Sequence, residues 1–137
     1  MLMKKIKVGQ KATRQKTMTK QDVELFTKLT GDHQALHYDK KLAHKLGHHA
    51  PLVQGGVITG IFNALVAHDL PGEGSVFLNV NWNFKKAVLI GDTITAEVEV
   101  LSVREDKPII QLKTTILNQD NELCLDGTAL VYVRNIY

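Results

Sequence analysis

The stretch GGVITGIFNALVAHD, residues 55–69, decides the fold. Val57, Ile58, Ile61, Phe62, Leu65 and Val66 recur at helical spacing, and the glycines allow close backbone approach. A helix that is apolar nearly all round belongs inside a protein. At about 1.5 Å per residue, about fifteen residues are too few to cross a bilayer, so protein rather than lipid is expected to surround it.

What surrounds it follows in the chain. After the turn LPGEG (70–74), SVFLNVNWNF (75–84) alternates through Val76, Leu78, Val80 and Trp82, and DTITAEVEVLSV (92–103) through Ile94, Ala96, Val98 and Val100. PIIQLKTTILN (108–118) and ELCLDGTALVYV (122–133) come next, with polar turns at REDK (104–107) and NQDN (118–121). Strands so closely joined pair as antiparallel hairpins. Helices first and strands after predict an α+β fold in which an antiparallel sheet wraps round a long buried helix, the hot-dog arrangement. Fold analogy alone assigns no function.

Upstream, GQKATRQKTM (9–18) alternates weakly and predicts a first strand. Thr19 then precedes KQDVELFTKL; a hydroxyl at the N-cap, Asp22 at the third helical position and apolar Val23, Phe26 and Leu29 predict a short amphipathic helix ended by Gly31. Asp39 opens a second short helix, KKLAHKLG (40–47), closed by Gly47. The connection between them, LTGDHQALHYD (29–39), is rich in polar and titratable side chains.

The 137 residues suit one domain, 1–137, with a substantial core; 44% hydrophobic and 23% charged residues are the balance of a folded protein. The formal charge, 17 minus 14 or +3, owes much to Lys4, Lys5, Lys7, Lys11, Arg14, Lys16 and Lys20, a run with no acid among the first twenty residues. Without interleaved aromatics or a recognised motif, this run predicts a solvated strand face rather than a nucleic-acid surface. It also suits a phosphate-bearing substrate such as a coenzyme A thioester. Cys124 has no partner for a disulfide or a zinc site. MLMKKIKVGQ lacks a signal-peptide core and no membrane span is found, so a cytoplasmic protein is expected.

Asp32 and His37 lie among apolar neighbours, Leu29, Ala35 and Leu36. Such surroundings favour their neutral forms, while mutual proximity favours the charged pair. A carboxyl and an imidazole a few ångströms apart can hold a water between them: the imidazole takes its proton while the carboxyl protonates a neighbouring carbon, adding water across a double bond. The alternatives are an aspartate capping local amides and a hydrogen-bonded structural histidine. A metal would need His33 and His37 on one helical turn across Gly31-Asp32, with no cysteine or paired acid nearby; none is expected, and His44, His48 and His49 are read as facing solvent. Gly55 opens the apolar helix, where unpaired amides could form an oxyanion hole; close packing explains the glycine equally well.

The chain resembles the (R)-specific enoyl-CoA hydratases of the MaoC-like group, which have a hot-dog fold. Their signature has Asp, three residues commonly including Asn-Pro, an apolar residue, and His followed by an acid; here it stands as DHQALHYD (32–39). PLVQGG (51–56), LPGEGSVFL (70–78), FKKAVLIGDTITAEVEV (84–100) and REDKPI (104–109) also match. The resemblance implies that Asp32 and His37 activate the water that hydrates a trans-2-enoyl-CoA to an (R)-3-hydroxyacyl-CoA, with the Gly55 amide at the thioester oxygen. It implies no cofactor, a homodimer, and Val66 and Val131 at the acyl pocket. Gln34-Ala35 replaces the usual Asn-Pro, Gln54 a frequent His, and Asn63 a serine that supports the aspartate; Gln54 and Asn63 can still hydrogen bond. The other readings are a noncatalytic acyl-CoA-binding hot-dog protein, a dehydratase acting on acyl carrier protein or another acyl thioester, and a thioesterase.

Overall fold

A computed structural model describes residues 5–135; Lys4 of the basic run and the ends of the expected 1–137 domain lie outside them. The elements are β1 (Lys11–Thr17), α1 (Lys20–Thr30), α2 (Lys40–Lys45), α3 (Gly55–Ala64), β2 (Ser75–Phe84), β3 (Thr93–Val103), β4 (Ile109–Leu117) and β5 (Leu123–Val133). The five strands form one antiparallel sheet in the order β1-β3-β4-β5-β2. The long helix packs on its inner face, so the architecture is the α+β hot-dog arrangement that the element order predicts.

Period-two alternation places Ile94, Ala96, Val98 and Val100 of β3, Ile110, Leu112 and Ile116 of β4, and Ala129, Val131 and Val133 of β5 in the core. From the helix side, Ile58, Phe62, Leu65 and Val66 complete it. The helix is not buried all round, however. Gly56 and Asn63 are exposed and Val57 and Ile61 half-buried, because the sheet covers one face only. Past Ala64 the coil widens into a π-turn, Leu65–Asp69, that keeps both Leu65 and Val66 inward.

In β2 the phase differs from the simple alternation. Val76, Leu78 and Val80 face solvent, while Phe77 and Trp82 pack inward. A bulge between Phe77 and Asn79 in the pairing with β5 shifts the register, so an odd and an even position share the core face. The Trp82 ring lies 5.4 Å from Phe62 and 6.2 Å from Phe77, centre to centre.

The basic run enters β1 with Lys11, Arg14 and Lys16, on a face exposed as expected. It meets its acids in space rather than in sequence: Arg14 pairs with Asp69 at 2.6 Å, Lys16 with Asp22 at 2.7 Å and Lys11 with Glu99 at 3.8 Å. The Asp69 hydrogen bond raises the Arg14 pKa, and the Arg14 hydrogen bond lowers that of Asp69. Among the described residues no helix is long and apolar enough to cross a membrane.

Candidate active site

α1 delivers the first half of the site. Its start is fixed by a complete capping box: the Asp22 amide donates to the Thr19 hydroxyl at 3.2 Å, and the Thr19 amide donates to Asp22 Oδ2 at 2.9 Å. Burial pushes the Asp22 pKa up, but hydrogen bonds from Lys16 and from the Thr19 amide and hydroxyl outweigh it and leave it below the ordinary carboxylate value. Val23 is fully buried; Leu29, expected on the same apolar face, is 80% exposed. The helix ends on Gly31 at φ 82°, a left-handed turn that costs glycine no steric strain, and the chain reverses into Asp32.

A 3-10 turn, Ala35–His37, then swings His37 back towards Asp32, and Asp39 caps α2 through the amides of Lys41 and Leu42. Gln34 is exposed, and its carbonyl accepts the His37 amide at 3.2 Å. His33, also exposed, lies against the Tyr38 ring at 5.6 Å. The segment before α3 straps the turn down: the Leu52 amide donates to the Leu36 carbonyl at 2.9 Å, and the His37 Nδ1 lies 2.8 Å from the Leu52 carbonyl.

That last bond fixes the imidazole chemistry. A carbonyl only accepts, so Nδ1 carries a proton and Nε2 of the neutral ring presents a lone pair. Nε2 is buried, has no hydrogen-bond partner among the described residues, and stands 3.4 Å from Asp32 Oδ2. His37 is 6% exposed, whereas the Asp32 side chain is partly open to solvent. The structure thus brings together the two residues that the signature spacing singles out, one buried and one at the mouth.

Gly55 is the first residue of α3, beside the same loop. Its amide and that of Gly56 find no acceptor among the described residues, leaving two donors at the positive end of the helix. Packing constrains both glycines too: a Cβ on Gly55 would lie 3.2 Å from Phe84, and one on Gly56 would overlap the Phe26 ring. Gln54, the N-cap, is 2% exposed and donates through Nε2 to the Val23 carbonyl at 3.1 Å and to the Thr27 hydroxyl at 3.3 Å. Asn63 is exposed and makes no hydrogen bond to Asp32. Val66 and Val131 are buried in the core; an open apolar groove of about 510 Å³ lies elsewhere, between α1, α3 and β1, walled by Met18, Leu25, Phe26, Val57 and Ile61.

The MaoC like domain matches residues 3–121. The chain belongs to the MaoC-like family. Among similar proteins, the (R)-specific enoyl-CoA hydratase of Aeromonas caviae is 40% identical over 126 residues, 92% of this chain and 94% of the relative. The mitochondrial 3-hydroxyacyl-[acyl-carrier-protein] dehydratase FERN of Solanum lycopersicum is 33% identical, over 90% of this chain and 75% of its own length. The solved structure of the (R)-hydratase from A. caviae involved in PHA biosynthesis superposes with a TM-score of 0.91 at 38% identity, covering 95% of this chain and 98% of that one. The R-hydratase PhaJ1 from Pseudomonas aeruginosa superposes with a TM-score of 0.90 at 27% identity, covering 97% of this chain and 85% of that one.

Proposed function

We propose that this chain reversibly hydrates trans-2-enoyl-CoA to (R)-3-hydroxyacyl-CoA, with Asp32 and His37 as the catalytic pair. One observation carries the proposal: Nε2 of His37, left with the lone pair because Nδ1 donates to the Leu52 carbonyl, faces the Asp32 carboxyl at 3.4 Å and has no hydrogen-bond partner among the described residues. A water seated against both groups loses a proton to Nε2 as its oxygen attacks the β-carbon of the enoyl chain. Charge moves onto the thioester oxygen, where the Gly55 amide at the α3 N-terminus stabilises it more than it does the neutral substrate. Asp32 in its acid form then protonates the α-carbon. Transfer of the proton from His37 to Asp32 restores both groups, and the sum is one water added.

Gln54 supports the arrangement by tying the α3 N-cap to α1. The similarity to the Aeromonas hydratase across nearly both whole chains supports the reaction type and the coenzyme A carrier. A second carrier is favoured by the similarity to the tomato dehydratase. Val66 and Val131, buried side chains on the helix and on β5, are proposed to bound the acyl chain. A homodimer is proposed as the working form, from the row of exposed apolar side chains on edge strand β2.

The test follows loss of enoyl absorbance with crotonyl-CoA, longer enoyl-CoAs and crotonyl-acyl carrier protein. Asp32→Asn and His37→Gln are each expected to lower kcat by about 10²- to 10⁴-fold. No turnover by the wild type on any substrate would sink the hydratase reading; undiminished turnover in both variants would sink the site. Release of free thiol without hydration would show a thioesterase instead.

A further inference from the structure

The Asp32 carboxyl group makes no hydrogen bond among the described residues; its one close polar contact is His37. Asn63 does not reach it, and the loop carries Gln34-Ala35, with none of the fixed φ that a proline would supply. The position of this side chain is therefore delegated to its backbone. Two bonds hold that backbone: the Asp32 amide donates to the Thr30 hydroxyl at 3.1 Å, on the exposed side, and the Asp32 carbonyl accepts from the Thr27 hydroxyl at 2.8 Å, on the half-buried side.

Thr27 uses the whole capacity of its hydroxyl. Its single proton goes to the Asp32 carbonyl, which can only accept, so its two lone pairs remain for the Tyr38 hydroxyl and Gln54 Nε2, and both are in place. The direction of the Gln54 amide is settled as well, since the Val23 carbonyl can pair with Nε2 and not with Oε1. One oxygen thus joins α1, the Asp32 backbone, the residue after His37 and the N-cap residue before Gly55. Every segment that carries part of the proposed site meets there.

We infer that Thr27 is a positioning residue for the hydration reaction: it holds the Asp32 backbone so that the carboxyl keeps its distance to His37 Nε2 and to the Gly55 amide. The inference rests on the proposed function. Thr27 touches no reacting atom, so its removal should slow the chemical step and leave substrate binding in place. A misplacement of about 1 Å at a reacting group can cost on the order of 10²-fold in rate.

The experiment uses the full chain with crotonyl-CoA, comparing wild type, Thr27→Val, Thr27→Ser, Asp32→Asn and the double variant Asp32→Asn with Thr27→Val. Thr27→Val is expected to lower kcat about 10- to 100-fold with KM within about twofold, and Thr27→Ser to recover to within about threefold of wild type. Because Thr27 acts through Asp32, Thr27→Val should remove little further activity from Asp32→Asn, an effect that general loosening of the fold would not produce. A kcat within twofold of wild type for Thr27→Val, an equal loss in Thr27→Ser, or the same fold-loss on the Asp32→Asn background would each overturn the inference. Should Thr27→Val fail to fold, Thr27→Ala, which also removes the hydroxyl given to the Asp32 carbonyl, replaces it; lowered kcat at constant KM supports the inference and unchanged kcat overturns it. Full activity in Asp32→Asn would defeat the site proposal and this inference together. An inactive Asp32→Asn beside a fully active Thr27→Val would defeat this inference alone.

Discussion

At the scale of single residues, the site divides into groups that a sequence exposes and groups that it hides. Cys124 makes the first prediction. Its side chain is fully buried in β5 and burial pushes its thiol pKa up, so thiolate is scarce and access is closed. A thiol reagent at pH 8 should label the native protein negligibly and label one cysteine per chain after unfolding; rapid native labelling would contradict the burial. Asp32 and His37 were legible because a carboxyl and an imidazole at signature spacing on a loop are chemically conspicuous. Gln54 was marked only by the family resemblance, where it stands in place of a frequent His. Thr27 and Leu52 were not: a threonine within a helix has no pattern that marks a shared hydroxyl, and the Leu52 contribution is a main-chain carbonyl that any residue would provide.

At the scale of elements, local chemistry and long-range pairing differ in how openly they are written. The α1 boundaries follow from Thr19 with Asp22 at one end and Gly31 at the other, each a local signal, and the structure forms the expected box and left-handed cap. The pH consequence has a definite sign. The Asp22 pKa is below its unfolded value, so its contribution is present above about pH 4 and is lost as pH falls through the folded value. Asp22→Asn should lower stability at neutral pH by about 1 kcal/mol and flatten the acid limb of a urea-unfolding series; an unaltered limb would remove Asp22 from the acid response. The β2 bulge was not legible, since residues 75–84 alternate cleanly and the interruption comes from pairing with β5. Gly127, opposite Trp82, belongs to that pairing: at φ 149° its hypothetical Cβ would lie 2.0 Å from the Asn81 carbonyl oxygen, which is backbone and cannot step aside. Gly127→Ala should therefore cost about 3 kcal/mol by urea denaturation, whereas Gly60→Ala, in open space inside α3, should be neutral or stabilise by up to about 1 kcal/mol.

At the scale of the whole molecule, the two sheet edges present opposite surfaces. β1 carries lysines and an arginine engaged in ion pairs, a charged edge that discourages strand addition. β2 exposes Val76, Leu78, Val80 and Phe84. An open apolar edge invites pairing, which is the basis for placing the proposed dimer there. Leu78→Lys combined with Val80→Lys should shift sedimentation equilibrium to monomer; a dimer that persists would move the interface away from β2. The hot-dog architecture was legible from element order because one apolar helix followed by four alternating segments has few other ways to bury its surface. Which strand would stand at which edge was not, since order within a sheet is fixed by pairings between residues far apart in the chain.

The bond between His37 and the Leu52 carbonyl has a consequence for how this protein tolerates mutation. In many enzymes a carboxylate side chain orients the reactive histidine, and one codon change deletes it. Here the orienting atom is main chain, common to every amino acid. A saturation scan at position 52 should thus look permissive, apart from proline, while insertions or deletions across residues 50–54 abolish activity outright: the histidine's anchor is inherited through loop length and resists point mutation.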